Sequence, residues 1–103
     1  MNKGFFIGNL SRDPEMRTTQ GGIKVCNFDL AINEHGREET QFIRVTAWRA
    51  LGEICNQYLK KGKKVLVTGA VNAESWAGAD GQPRARITVT ADEVEFLSAR
   101  ERE

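Results

Sequence analysis

Apolar residues along this chain recur with two periods, and the changes between them mark out its elements. Residues 3–10 are short and apolar enough for a strand, and a turn follows at Ser11-Arg12-Asp13-Pro14, where Asp before Pro favours a bend. Gly21-Gly22 is the next break. From Ile23 to Asn33, Cys26, Phe28, Leu30 and Ile32 alternate with Asn27, Asp29 and Asn33, the period of a half-buried strand. Ile23 and Val25 are out of phase with that set, which predicts a bulge or sharp twist near Val25-Cys26. Beyond a polar loop over 33–39, residues 41–49 form a strand with two unlike faces: Ile43, Val45 and Ala47 as core, Phe42, Arg44, Thr46 and Trp48 opposite. Leu51, Ile54, Cys55, Tyr58 and Leu59 then recur at helical spacing, so residues 50–61 form an amphipathic helix with Gly62 as its C′ stop. Residues 63–76 return to alternation, with Val65, Val67, Gly69, Val71 and Ala73 on one face. Asp80-Gly81 marks a hairpin, and the return strand over 84–96 turns Ala85, Ile87, Val89 and Ala91 inward and Arg84, Arg86, Thr88 and Thr90 outward.

The order is three strands, one helix, two strands. It predicts an all-β protein with an OB-fold, a five-stranded Greek-key barrel carrying one α-helix between strands 3 and 4. A small sandwich is the alternative, which a single internal helix at that place disfavours. With 103 residues and no Pro- or Ser-rich linker, the chain reads as one domain with a core over about residues 2–97 and a short charged end over 98–103.

Phe42, Arg44, Trp48, Trp76, Arg84 and Arg86 all fall in the outward phase of strands that share one sheet in this fold. An exposed aromatic offers a flat surface to an unstacked base, worth about 1–3 kcal/mol per base, and an arginine pairs with phosphate or stacks on a base. Because every base has a π face, such a surface takes single strands with little sequence preference, and a duplex with stacked bases offers nothing to it. Each aromatic taken alone also has a packing explanation: Phe42 over a barrel end, Trp48 under a loop, Trp76 in a subunit contact. Three aromatics with three arginines are harder to explain that way. Lys60-Lys61-Gly62-Lys63-Lys64 suits a helix end as well as phosphate contact, and its glycine spacing is not that of a P-loop.

Composition sharpens this. The net charge is +1, but residues 1–90 carry 13 Lys and Arg against 9 Asp and Glu while residues 91–103 carry 2 against 5. The body is mildly basic and the end acidic, which is compatible with a polyanion partner. One histidine leaves no plausible Ser-His-Asp or Cys-His arrangement, and no paired-carboxylate cleft can be assembled, so no enzyme activity and no catalytic residue is expected. Cys26 and Cys55 lie in core phases without a CxxC, so no metal and no cofactor is expected either. No run is long enough to span a membrane and no signal-peptide pattern opens the chain; the expected place is the cytoplasm, in association with the nucleoid.

Gly8-Asn9-Leu10, Asp13-Pro14-Glu15, Arg17, Gly22, Asn27-Phe28, Leu30-Ala31, Phe42-Ile43-Arg44-Val45, Trp48, Tyr58-Leu59-Lys60-Lys61-Gly62 and Val67-Thr68-Gly69 occur in an order that resembles the bacterial single-stranded DNA-binding protein family, over about residues 2–97. The resemblance implies single-stranded DNA as partner, roles in replication, recombination and repair, and assembly as a homotetramer, with a dimer as the alternative. It also implies that Phe42, Trp48 and Trp76 occupy stacking positions, and that Lys3, Arg17, Arg44 and Lys61 stand where backbone-contacting basic residues stand. Three departures accompany it. The loop over 33–40 lacks the family's additional aromatic, Asn72 and Glu74 replace basic residues, and the Gly-, Pro- and Gln-rich linker with its acidic partner-recruiting tip has no counterpart in these residues. The chain reads either as a trimmed core or as a short, tail-less member, which leaves tail-mediated partner proteins in doubt. A primosome-type accessory or scaffold protein with weaker nucleic-acid binding is the alternative function.

Overall fold

A computed structural model describes residues 1–36 and 38–97. It contains β1 (Gly4–Leu10), β2 (Glu15–Thr18), β3 (Lys24–Ile32), β4 (Gln41–Trp48), α1 (Arg49–Tyr58), β5 (Lys64–Ala77) and β6 (Pro83–Phe96). The strands run β1-β5-β6-β4-β3-β2 in one sheet, and an additional β1–β3 pairing closes five of them into a barrel. Those five long strands and the helix between the third and fourth of them are the OB-fold arrangement expected from the alternation. The short β2 is an addition, pairing with β3 from Glu15↔Asn27 to Thr18↔Lys24. Its four residues offer too little alternation to be read as a strand. The charged end over 98–103 lies outside the described residues.

The barrel closes on Phe28, Leu10, Leu30, Val45, Val65, Val67 and Val89, all at most 2% exposed, with Cys26 and Cys55 beside them. Burial pushes the Cys26 thiol up to about 11. Cys55, buried and next to Cys26, is pushed up to about 12. Both therefore remain neutral packing groups at neutral pH.

Four local expectations are corrected. The pairing of β3 with β4 and with β2 runs without interruption through Val25-Cys26. Both residues are buried because the two sides of β3 are covered there, so the loss of phase is burial on both faces and not a bulge. The register shift sits instead between Thr68 and Gly69, where Glu93 and Ala91 are the successive partners and Asp92 is the extra residue. The helix stops at Tyr58, and Gly62, at φ 93°, serves the following turn, donating to the Leu10 carbonyl at 2.9 Å. Finally, Tyr58 is exposed and packs its ring 6.3 Å from that of Phe96, and Ile54 is also exposed, so Cys55 and Leu59 of the helical stripe are buried in the core while Leu51 packs against it.

The β5–β6 hairpin outruns the barrel wall. Each strand has 14 residues, while β4 pairs with β6 only from Arg44↔Thr88 to Thr46↔Thr90. Alternation continues along the projecting part, but no core lies beneath it, so Ala73, Ala85 and Ile87 are exposed where the pattern predicts them inward. The result is a two-stranded arm closed by the Asp80-Gly81 turn, with Gly81 at φ 81° as a left-handed turn position requires. No helix among the described residues is long and apolar enough to cross a membrane.

Candidate nucleic-acid interface

Residues directly opposite in adjacent strands share a sheet face, so the register itself assembles the outer surface. One row reads Arg17, Val25 and Trp48 across β2, β3 and β4; the next reads Glu15, Asn27, Thr46 and Thr90; the third reads Asp29, Arg44, Thr88 and Asn72. Phe42 stands opposite Ala31 at the far end of β4. The arm continues the face with Glu74 opposite Arg86 and Trp76 opposite Arg84. Seven of the nine candidate residues therefore share one surface: Arg17, Phe42, Arg44, Trp48, Trp76, Arg84 and Arg86. Lys3 precedes β1, and Lys61 sits in the turn after α1 with its amide bonded to the Asp13 carboxylate at 2.8 Å. Neither lines the grooves described next.

The three aromatics are open to solvent, Phe42 at 61%, Trp76 at 47% and Trp48 at 42%. The same face carries an open groove of about 520 Å³, lined among others by Glu15, Arg17, Asn27, Arg44, Glu74 and Arg86. A smaller hollow of about 270 Å³ continues it past Arg12, Asp29, Phe42 and Ile87. Arg44 and Arg86 border both, so a chain crossing from one to the other passes between two guanidinium groups. Trp48 is the last strand residue before the chain turns into α1, and Arg49 after it has φ 58°. A non-glycine side chain there is strained by about 1–2 kcal/mol, and the strain lies at the junction that leaves Trp48 at the edge of the face.

Four of the arginines, Arg12, Arg44, Arg84 and Arg86, are paired with carboxylates. The Asp29 carboxylate is shared, one oxygen accepting from Arg12 Nη2 at 2.6 Å and Nε at 3.0 Å, the other from Arg44 Nη1 at 3.2 Å. Glu74 accepts from Arg86 Nε at 2.8 Å, and the Arg86 guanidinium also lies 5.4 Å from the Trp76 ring centre. Asp80 accepts from Arg84 at 3.0 Å. Asn27 donates to the Thr46 hydroxyl at 2.8 Å, satisfying the amide between these charges. Arg12 and the carboxylates Asp29, Glu74 and Asp80 are thus part of the surface. The alternation already put Asp29 and Glu74 in the outward phase, but only the cross-strand register reveals which arginine each one meets.

A family model described as the single-strand binding protein family matches residues 1–97. The chain belongs to the single-strand binding protein family. Among its relatives in that family, the single-stranded DNA-binding protein of Caldanaerobacter subterraneus subsp. tengcongensis is 40% identical over 102 residues, covering 94% of this chain and 68% of that protein. That of Neisseria meningitidis is 38% identical over 107 residues, covering 97% and 62%. The chain thus spans about two thirds of the length of the curated family members it matches. Among solved structures, the Plasmodium falciparum SSB in complex with ssDNA matches with a TM-score of 0.79 and 26% identity, over 95% of this chain and 96% of that one. The family fold is an OB-fold, in agreement with the barrel described above.

Proposed function

We propose that this chain binds single-stranded DNA with little dependence on sequence and protects it during replication, recombination and repair. The observation that carries the reading is the interleaving, on one sheet face, of three exposed aromatics with arginines, two of which, Arg44 and Arg86, border both of two adjoining hollows. Phe42, Trp48 and Trp76 act as stacking platforms. Arg17, Arg44, Arg84 and Arg86 contact phosphates along the path, and Lys3 and Lys61 extend the positive surface outside the groove. A protein that binds only the single-stranded form shifts a hairpin toward that form by mass action, with no catalytic step.

Titration with oligo-dT, with tryptophan fluorescence as readout, tests this. Trp48→Ala and Trp76→Ala should each weaken binding while the fold is retained. Unchanged affinity in both variants refutes the stacking mechanism. We further propose assembly as a homotetramer, or failing that a dimer: Phe5 and Ile7 on β1 are 68% and 51% exposed, an apolar pair away from the aromatic-arginine face that a second copy would cover. Light scattering on the purified protein decides it, a monomeric mass being the contrary result.

A further inference from the structure

Two acidic side chains, Glu15 and Glu74, line the groove beside Arg17, Arg44 and Arg86, and Glu74 is the one paired to a groove arginine. Glu74 borders the groove together with Arg44 and Arg86, directly opposite Arg86 in the β5–β6 ladder. Its Oε1 takes the Nε–H of Arg86 at 2.8 Å, and the same guanidinium lies over the Trp76 ring at 5.4 Å. One carboxylate thus holds a cation that borders both hollows, and holds it against an aromatic platform. To the guanidinium, a carboxylate oxygen and a phosphate oxygen are acceptors of the same kind, anionic and able to take its fork of N–H donors.

Arg44 is held differently. Its partner Asp29 also accepts from Arg12, so the carboxylate stays paired when Arg44 turns to another anion. When Arg86 turns away from Glu74, the carboxylate is left facing a negatively charged strand. Both side chains of this pair are about half exposed, 53% and 49%, so the pair opens readily and exchange is feasible.

We propose that Glu74 competes with DNA phosphate for Arg86, so that a bound strand exchanges the carboxylate for a phosphate at this position and is held less tightly, and released faster, than the arginine content of the face implies. Glu74 is then a residue that sets affinity without itself touching the strand. The inference rests on the reading of this face as a single-stranded DNA site, and its test separates the two.

The experiment is oligo-dT titration of the wild type, Glu74→Gln, Arg86→Gln and the double variant, with dissociation rates from competition with excess unlabelled strand. Glutamine keeps the size of Glu74 and removes its charge. Exposed ion pairs couple weakly, so Glu74→Gln should bind about two- to fivefold more tightly, with most of the gain in slower release. In the Arg86→Gln background the same change should bring a clearly smaller gain, because the cation it frees is absent and only the carboxylate's repulsion of the strand is removed. A gain of equal size in both backgrounds would mean general repulsion between Glu74 and the strand, and overturns the proposal. So does a wild type that quenches fully with oligo-dT while Glu74→Gln binds no better. A wild type that shows no quenching at low salt overturns both the proposal and the DNA-binding reading beneath it.

Discussion

Gly69 is where β5 and β6 approach too closely for any side chain, and replacing it with alanine should loosen the barrel beneath the aromatic face. A Cβ added at Gly69 falls 2.1 Å from the Thr90 carbonyl oxygen, 2.8 Å from its carbon and 2.9 Å from Ala91 Cα. All three are backbone atoms, so no rotamer change relieves the overlap, and the strands must separate by about 1.3 Å to reach ordinary contact. That separation falls at the register shift between Thr68 and Gly69, where the ladder is already interrupted. Losing two ladder hydrogen bonds costs about 2 kcal/mol and the overpacking about 1–3 kcal/mol more, some 3–5 kcal/mol together. A domain of this size has about 5–15 kcal/mol in all, so Gly69→Ala should melt at least 12 °C or so below the parent. The assay is thermal and urea unfolding followed by far-UV circular dichroism, at one protein concentration so that any self-association affects parent and variant alike. Gly21→Ala is the control: the nearest atom to its Cβ is 3.9 Å away, so it should stay within about 0.5 kcal/mol of the parent. If Gly69→Ala melts within about 3 °C of wild type, the close strand approach is wrong.

Trp48→Ala and Trp76→Ala should each lose about five- to a hundredfold in affinity for oligo-dT, the worth of one stacked base, measured by anisotropy of a labelled strand. The logarithm of the binding constant should fall with the logarithm of salt concentration by about 0.7 per phosphate contact, and Arg44→Ala should flatten that slope by about one contact. Asp29→Asn should destabilise the protein by about 1 kcal/mol in urea unfolding, because one carboxylate serves both Arg12 and Arg44. For the thiols, the folded values of about 11 and about 12 lie above the ordinary 9.0, so the unfolded chain loses those protons first. Their contribution to stability is complete below pH 9 and is lost as pH rises from about 9 to 12; stability unchanged over that range, once other titrations are matched with a Cys26→Ala, Cys55→Ala double variant, contradicts their burial.

Much of this was legible in the sequence where one face of a strand is buried. β4 is the clearest case: Ile43, Val45 and Ala47 go inward and Phe42, Arg44, Thr46 and Trp48 outward, because the barrel covers one side of that strand along its whole length. Alternation misleads where that condition fails. At Val25-Cys26 both faces are covered, and along the β5–β6 arm neither covers a core, so the same period gave a false bulge in one place and false core residues in the other. Tyr58 misled for a related reason, since a helical stripe says which residues share a side and not how far the barrel extends beneath them. The arginine partners were illegible for want of register: Asp29 is 15 residues from Arg44 and Glu74 is 12 from Arg86, distances only strand pairing closes.

A strand whose unstacked bases lie on the aromatic-arginine face must meet both tryptophans, which stand on it. Fluorescence titration with oligo-dT at low and high salt, beside a hairpin-free duplex of equal length, tests it most directly. The single strand should quench strongly and saturably, less so at high salt, and the duplex should quench little. Equal quenching by both, or none by the single strand at low salt, would contradict it.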